Sequence, residues 1–210
     1  MSTLSVNTIN AQTGTTITVP SGNLLVAPNH TLQTVTQVNN TGITLSSTAT
    51  TKFMEQNFTT KGANSIIHVR FHTAIYREST ATGNRDVDVS MGLGFKTGSS
   101  TSSSTDYTPI TTYAPSRQYI TFAGPASRAF FSSDAYSAAG SYDGRYNPLT
   151  TVFNEESFSP SLAAGTTIRI AVFCNQDYNL STNIKFGGSA SGSGDSGCST
   201  SLTITEVSPS

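Results

Sequence analysis

Nucleophilic catalysis would need Ser196, within Gly194-Asp195-Ser196-Gly197, together with one of the histidines His30, His68 and His72. That chemistry requires a histidine to take the hydroxyl proton and an acid to orient the histidine. The residues around the three histidines lack the pattern of a catalytic histidine segment. The tetrapeptide lies in a Gly/Ser-rich stretch, where such strings arise from composition alone. We therefore predict that this serine is not a nucleophile and that the protein is not an enzyme.

His68 and His72 are the best-spaced candidates for metal binding. On a strand they share one face but lie ~13 Å apart. One metal ion cannot bind both, because its bonds to nitrogen are ~2 Å long. We expect two ordinary strand histidines and no cofactor. The alternative is that a trimer gathers three copies of one histidine on its axis.

The acidic residues do not form a recognisable site. Asp86 and Asp88 share a strand face, and Glu155-Glu156 has no partner acid at a known spacing. Glycosidases need two opposed carboxylates across a cleft, and calcium takes ~6–8 oxygen ligands. We expect Glu155-Glu156 to lie in a solvated turn. A glycan-degrading enzyme is the weakest functional hypothesis.

Cys174 ends one predicted strand and Cys198 begins another. In an antiparallel arrangement they could lie at the same end of neighbouring strands, where a disulfide is possible. The reducing cytoplasm favours free thiols, so both states stay open.

Tyrosines are concentrated in the middle of the chain, between residues 107 and 148. Tyrosine rings stack on sugars and on partner proteins, and the hydroxyl adds a polar contact. A receptor or partner surface is therefore one hypothesis, and core filling by several of these rings is the other. The six residues are Tyr107, Tyr113, Tyr119, Tyr136, Tyr142 and Tyr146.

The chain has 210 residues, of which 35% are hydrophobic and 11% charged, with a net charge of -1. Disordered chains usually combine low hydrophobicity with high net charge, so disorder is not indicated. The absence of basic runs argues against nucleic-acid binding. No apolar stretch reaches the ~18 residues that span a bilayer, so membrane insertion is not expected. Many Thr residues and no helical periodicity favour strands.

Short apolar or alternating runs between turn residues predict an all-β fold. The clearest strands are 65–76, 166–174 and 199–207, and residues 87–95 carry apolar side chains at odd positions that should share one face. The Ser/Thr-rich run 97–106 predicts an exposed, mobile loop. Roughly eight strands with long connections predict an antiparallel jelly-roll sandwich.

The pattern of the first 30 residues predicts three very short strands. Isolated sheets of this size are marginal, so they need a neighbour. We predict an N-terminal anchoring and oligomerisation segment over 1–30, followed by the jelly-roll domain over 31–210. Packing of the short strands on the rest of the chain is the alternative. The apolar residues of the anchor are Leu4, Val6, Ile9, Ile17, Val19, Leu24 and Val26.

Two regions of the chain carry a recognisable pattern of Ser, Thr and Gly between short apolar runs. At the start of the chain the region comprises 4–9, Gly14, 16–24, Ala27-Pro28 and 32–35; at the end it comprises 167–170, the Gly/Ser loop and 201–207. Both regions resemble small virion proteins of tailed bacteriophages. The resemblance covers about the first 38 residues and the last 45, and the middle matches no family. It implies a trimeric jelly roll similar to the modules of complement C1q and tumour necrosis factor.

What the resemblance implies is a virion protein made in the host cytoplasm and carried on the virion surface. One hypothesis is a fibre-like appendage of tail or head, whose loops contact a host glycan or protein. Its N-terminal segment would bind other virion proteins. The alternative is a capsid decoration protein that clamps coat subunits. Host, receptor and neighbouring virion protein stay open.

Overall fold

The computed structural model describes residues 29–45, 49–78, 85–110, 120, 131–137, 150–176, 183–187 and 199–209. Within these ranges the regular structure is β-strand, apart from one short 3₁₀ turn at Ser104–Asp106. The all-β prediction is confirmed. The strands are β1 (Thr31–Asn39), β2 (Ile43–Leu45), β3 (Thr51–Thr59), β4 (Ile66–Glu78), β5 (Arg85–Thr97), β6 (Thr108–Pro109), β7 (Phe131–Ser137), β8 (Thr150–Phe158), β9 (Thr167–Gln176), β10 (Asn183–Phe186) and β11 (Thr200–Val207).

The first of two antiparallel sheets, sheet A, is built around β4. Strand β8 pairs along one edge of β4, while β11 and β10 lie end to end along the other edge. Strands β1 and β2 then pair with β11 and β10 in turn. Sheet A therefore has β8 at one edge and the β1–β2 segment at the other.

The second sheet, sheet B, has β9 and β5 at its centre. Strand β3 pairs with the outer edge of β9. Strands β6 and β7 share the outer edge of β5, with β7 opposite 85–91 and β6 opposite 94–95. All of these pairings are antiparallel.

The main core lies between the two sheets, which makes the fold a β-sandwich. Alternation along β4 turns Ile67, Val69 and Phe71 inward, and all three are fully buried. Phe53 of sheet B meets Phe71 edge to face, with ring centroids 6.1 Å apart. Period-two alternation of this kind is what buries one face of each sheet.

A polar side chain also lies on the inner face. Glu206 continues the inward series of Leu202 and Ile204 on β11 and is fully buried. Its carboxylate accepts hydrogen bonds from the backbone N–H of Lys61, in the turn between β3 and β4, and from the Ser65 hydroxyl. The carboxylate thus joins the last strand to that turn.

Glycines allow close backbone approach where β10 meets β2. Gly42 and Gly187 both have positive φ, +70° and +64°. A Cβ on Gly42 would lie 2.3 Å from the carbonyl oxygen of Gly187, and a Cβ on Gly187 would lie 2.1 Å from Oγ1 of Thr200. Only glycine fits both requirements.

Candidate interaction surface

The outward side of sheet A, here called the outer face, is a regular grid of side chains. Alternation along each strand places every second residue on it. Register then aligns these residues across β1, β11, β4 and β8 into three rows. The rows are Val38–Ser201–His72–Phe153, Thr36–Thr203–Arg70–Glu155 and Thr34–Thr205–His68–Ser157.

Two large hydrophobic side chains are exposed on this face. Val38 is 55% exposed and Phe153 is 59% exposed, and they are the exposed large hydrophobics among the described residues. They lie on opposite edge strands and at opposite ends of the same row, which spans three strand spacings or ~14 Å. Each edge of the outer face therefore carries one exposed apolar side chain, and the two belong to the same cross-strand row.

In the three described rows, the charged side chains lie between β4 and β8. Nε of Arg70 lies 3.6 Å from Oε1 of Glu155, and both side chains are about half exposed. The Arg70 guanidinium also lies 5.8 Å from the centroid of the Phe153 ring, a cation–π geometry. Exposed pairs of this kind stabilise a fold by only ~0–1 kcal/mol.

The two histidines flank this charge pair on β4. His68 and His72 share the outer face, as their spacing predicted, and both pair in register with β8. Nδ1 of His68 lies 2.6 Å from the hydroxyl of Ser157. Among the described residues, no three His, Cys, Asp or Glu side chains are grouped so that they could hold a metal ion.

Paired threonines cover the β1 side of the face. The hydroxyls of Thr34 and Thr205 are 3.2 Å apart, and those of Thr36 and Thr203 are 3.0 Å apart. Cross-strand hydroxyl pairs are a usual stabilising unit of antiparallel sheets. They give this side of the outer face a flat polar surface between Val38 and the charged pair.

The outward side of sheet B is covered, unlike that of sheet A. Ala171 and Phe173 of β9 point away from the main core, yet both are fully buried. Tyr107 and Ile120 pack over them as a second small core. The Tyr107 ring meets Phe173 edge to face at 5.0 Å between centroids. The segment after β5 thus folds back over sheet B.

Polar bonds fasten this segment to sheet B. Glu55 of β3 accepts bonds from Nζ of Lys52 at 3.1 Å, from Nη1 of Arg169 at 3.1 Å and from the Tyr107 hydroxyl. Lys52 also donates to the Thr101 carbonyl at 2.8 Å. Nε of Arg169 donates to the Gly98 carbonyl at 2.7 Å. Residues 97–106 are mostly exposed, as predicted, and Lys52 and Arg169 of sheet B bond to the backbone of this loop. Its mobility stays a prediction.

The pKa values of this cluster follow from burial and from these bonds. Burial alone would raise the pKa of Glu55, but hydrogen bonds from Tyr107, Ser100 and Lys52 bring it below its usual value. Burial and the bond to Glu55 raise the pKa of Tyr107. These bonds therefore favour the charged carboxylate of Glu55 and the neutral phenol of Tyr107.

Of the six tyrosines predicted to form a receptor or partner surface, Tyr107 is the one whose side chain the structure describes. Tyr107 is buried against Phe173, so at this position the ring fills core and faces no receptor, because outward Phe173 needs a cover. Tyr136 lies on β7, opposite Asp86 in the register. Outside the described residues lie Tyr113, Tyr119, Tyr142 and Tyr146, as do the anchor residues of the first 28 positions and the Gly194–Gly197 loop.

Glu155 and Glu156 do not lie where the sequence predicted. Glu155 and Glu156 lie within β8, so the predicted turn is wrong. Alternation separates them, because Glu155 faces outward while Glu156 is half-buried on the inner side. Burial raises the pKa of Glu156. The two carboxyl groups therefore do not face one another.

Cys174 is a buried free thiol on β9. Its Sγ lies 3.7 Å from the Thr51 carbonyl oxygen, and burial raises its pKa well above the usual range. Such a thiol is chemically inert while the fold persists. Cys198 lies outside the described residues.

Comparison with known proteins adds no relative. No protein-family model matches the chain, and no curated protein matches it. Among the residues described, no helix is long and apolar enough to cross a bilayer. Function must therefore be inferred from the geometry of the sandwich and from the resemblance of its two ends.

Proposed function

We propose that this protein is a structural protein of a bacteriophage virion that assembles as a homotrimer and acts by binding. The observation that carries the proposal is the outer face of sheet A, which exposes Phe153 and Val38 on opposite edges. Phe and Arg, which lie side by side here as Phe153 and Arg70, are enriched in protein–protein contacts. Sheet B offers the contrast, because its outward Phe173 is covered within the same chain.

The strand order supports a jelly roll. We count segments that lie end to end as one strand, so that β1 with β2 is the first strand and β10 with β11 is the eighth. The first strand then pairs with the eighth, and the second (β3) pairs with the seventh (β9). The third (β4) pairs with the sixth (β8), and the fourth (β5) with the fifth, made of β6 and β7. This nested pairing supports an eight-stranded jelly roll. It is the fold that the resemblance implies.

A second copy of the chain is the occupant that we assign to the outer face. Its two apolar ends differ, since one is Phe153 on β8 and the other is Val38 on β1. If Phe153 of one copy contacts Val38 of the next copy, the contact is heterologous. Heterologous contacts close into a ring when the rotation between neighbouring copies brings the last copy back to the first. Burying a Phe or Val side chain contributes ~1.5–3 kcal/mol. Three equivalent contacts would hold a trimer.

The N-terminal segment has the role of anchor in this proposal. The described domain begins beside its own end, because the His30 N–H donates to Ser208 Oγ at 3.0 Å and the Ser208 N–H donates to the His30 carbonyl at 2.8 Å. The chain therefore enters the domain at an edge strand of the outer face. Residues 1–30 would bind other virion proteins from that edge, and the loops would contact the host surface.

Light scattering of the purified full chain tests the assembly. We expect three times the chain mass of 22.0 kDa. The Phe153→Ser and Val38→Ser variants should each weaken the trimer by about tenfold or more, from the loss of buried apolar area. Asn57→Ser, at an exposed position of β3, is the matched control and should leave the mass unchanged. A strict monomer would contradict the proposal.

Gold labelling of intact particles, with antibody to this chain, tests the place of action. Label at the tail or at a few head positions would support a fibre-like appendage. Dense label over the shell, at hundreds of copies, would assign the protein to capsid decoration. Particles that carry no label would overturn the virion proposal itself.

A further inference from the structure

Two of the three histidines of the chain lie on the outer face. His68 and His72 sit on either side of Arg70 along β4, the strand between β11 and β8. Side chains two positions apart on one strand face are ~6.6 Å apart. The three side chains therefore form a short strip down the middle of the outer face.

The strip has one acidic neighbour among the described residues that face it. Glu155 on β8 lies beside Arg70, while Phe153 and Ser157 lie beside His72 and His68. Towards β11 and β1 the neighbours are Ser201, the four threonines of the grid and Val38, none of which carries a charge. With neutral imidazoles the three described rows hold one cation and one anion, and with both imidazoles protonated they hold three cations and one anion.

We propose that protonation of His68 and His72 weakens the contact between copies, so that the assembly comes apart in mildly acidic solution. This inference rests on the proposed function, because it takes the outer face to be the contact between copies. Imidazole changes charge between about pH 5 and pH 8. Burying a second and a third cation beside Arg70 costs free energy through desolvation and like-charge repulsion.

The direction of the effect follows from linkage. Assembly disfavours the charged imidazoles, so their protonation is easier in the separate copies than in the assembly. The separate copies bind more protons, and the assembly is therefore favoured at high pH and lost as the pH falls. A one-unit pKa difference between the two states changes the dissociation constant about tenfold per histidine.

Sedimentation of the full chain at about pH 7.5 and about pH 5.5, either side of the ~6.5 pKa of imidazole, measures the effect. We expect the dissociation constant of the wild-type assembly to rise at least about tenfold at the lower pH. The double variant His68→Gln, His72→Gln should show no such rise. His30→Gln is the matched control, because His30 lies outside the grid, and it should keep the wild-type response.

Each other outcome has a defined meaning. An assembly with equal dissociation constants at both pH values would overturn this inference and leave the proposed trimer standing. A monomer at the higher pH would overturn the proposed trimer as well. A response that persists in the double variant but disappears in Glu156→Gln would assign it to that half-buried carboxyl and overturn the histidine role. Near-ultraviolet circular dichroism must show a folded chain at both pH values, and unfolding at the lower value would also overturn the inference.

Discussion

The carboxylate of Glu206 accepts a hydrogen bond from the backbone N–H of Gly62 at 2.9 Å, although 144 positions separate the two residues. The same carboxylate accepts bonds from Lys61 N–H, Ser65 Oγ and Nε2 of Gln33. It therefore connects β11, β1 and the turn between β3 and β4. Gly62 belongs in that turn because a Cβ there would lie 2.7 Å from Ser65 Oγ and 2.8 Å from Leu32 Cδ1.

Replacing this carboxylate should destabilise the fold. We expect Glu206→Gln to lower the free energy of unfolding by ~3 kcal/mol, because the amide presents a donor to backbone N–H groups and several charge-assisted bonds are lost. Urea unfolding measures the change. Glu155→Gln, at an exposed pair on the outer face, is the control and should change stability by less than ~1 kcal/mol. Equal effects of the two variants would contradict this role for Glu206.

Glu206 should also make stability depend on acid. Burial alone would raise its pKa, but the bonds from Gly62, Lys61, Ser65 and Gln33 lower it below the usual value. A depressed folded-state pKa gives stability that is present above the unfolded value of ~4.3 and lost as the pH falls through the folded value. Thermal unfolding between about pH 6 and about pH 2 should show this loss for the wild type. A Glu206→Gln slope as steep as that of the wild type would rule out this origin.

The Tyr107 hydroxyl should contribute to stability separately from the Tyr107 ring. Tyr107→Phe keeps the contact with Phe173 and removes the bond to Glu55, so we expect a loss of ~1–2 kcal/mol. Tyr107→Ala also uncovers Phe173 and should cost ~3–5 kcal/mol. Chemical denaturation of both variants measures the two losses. If Phe and Ala at this position are equally tolerated, the ring does not cover sheet B.

Much of the strand pattern was predictable because alternation is local. Val89, Met91 and Leu93 share the buried face of β5, as their odd positions predicted, and β4 and β9 fall within a few residues of the predicted strands. Val38 lies three positions after Val35, so regular alternation places Val35 towards the core and Val38 on the outer face.

Long-range polar pairs account for most of what the sequence did not reveal. Lys52 and Arg169 hold the Ser/Thr-rich loop from strands far away in the chain, and no local pattern encodes that. The buried Glu206 had a usable signal, since it occupies the apolar phase after Leu202 and Ile204. The residues that meet on the outer face could not be predicted without the strand register, because each row combines residues from both ends of the domain.

Gly98 and Gly187 both have positive φ, so substitutions at the two positions separate the cost of steric crowding from the cost of the left-handed conformation. Gly187 has φ +64° and a Cβ would meet Thr200 Oγ1 at 2.1 Å, while Gly98 has φ +86° and open space around it. We expect Gly98→Ala to cost ~1–2 kcal/mol from the left-handed conformation alone. Gly187→Ala should cost ~1–3 kcal/mol more through overpacking. Melting temperatures of the pair measure the difference, and equal losses would show that the crowding at Gly187 relaxes freely.

The Cys174 thiol should remain free and protected as long as the chain is folded. It is fully buried, and a thiol of raised pKa offers little thiolate for reaction. We expect a maleimide reagent to leave Cys174 unmodified in native protein and to label it completely after denaturation without reductant. Peptide mass spectrometry locates the label. A cross-linked peptide that joins Cys174 to Cys198 in the unreduced protein would contradict the free thiol, and rapid native labelling would contradict its burial.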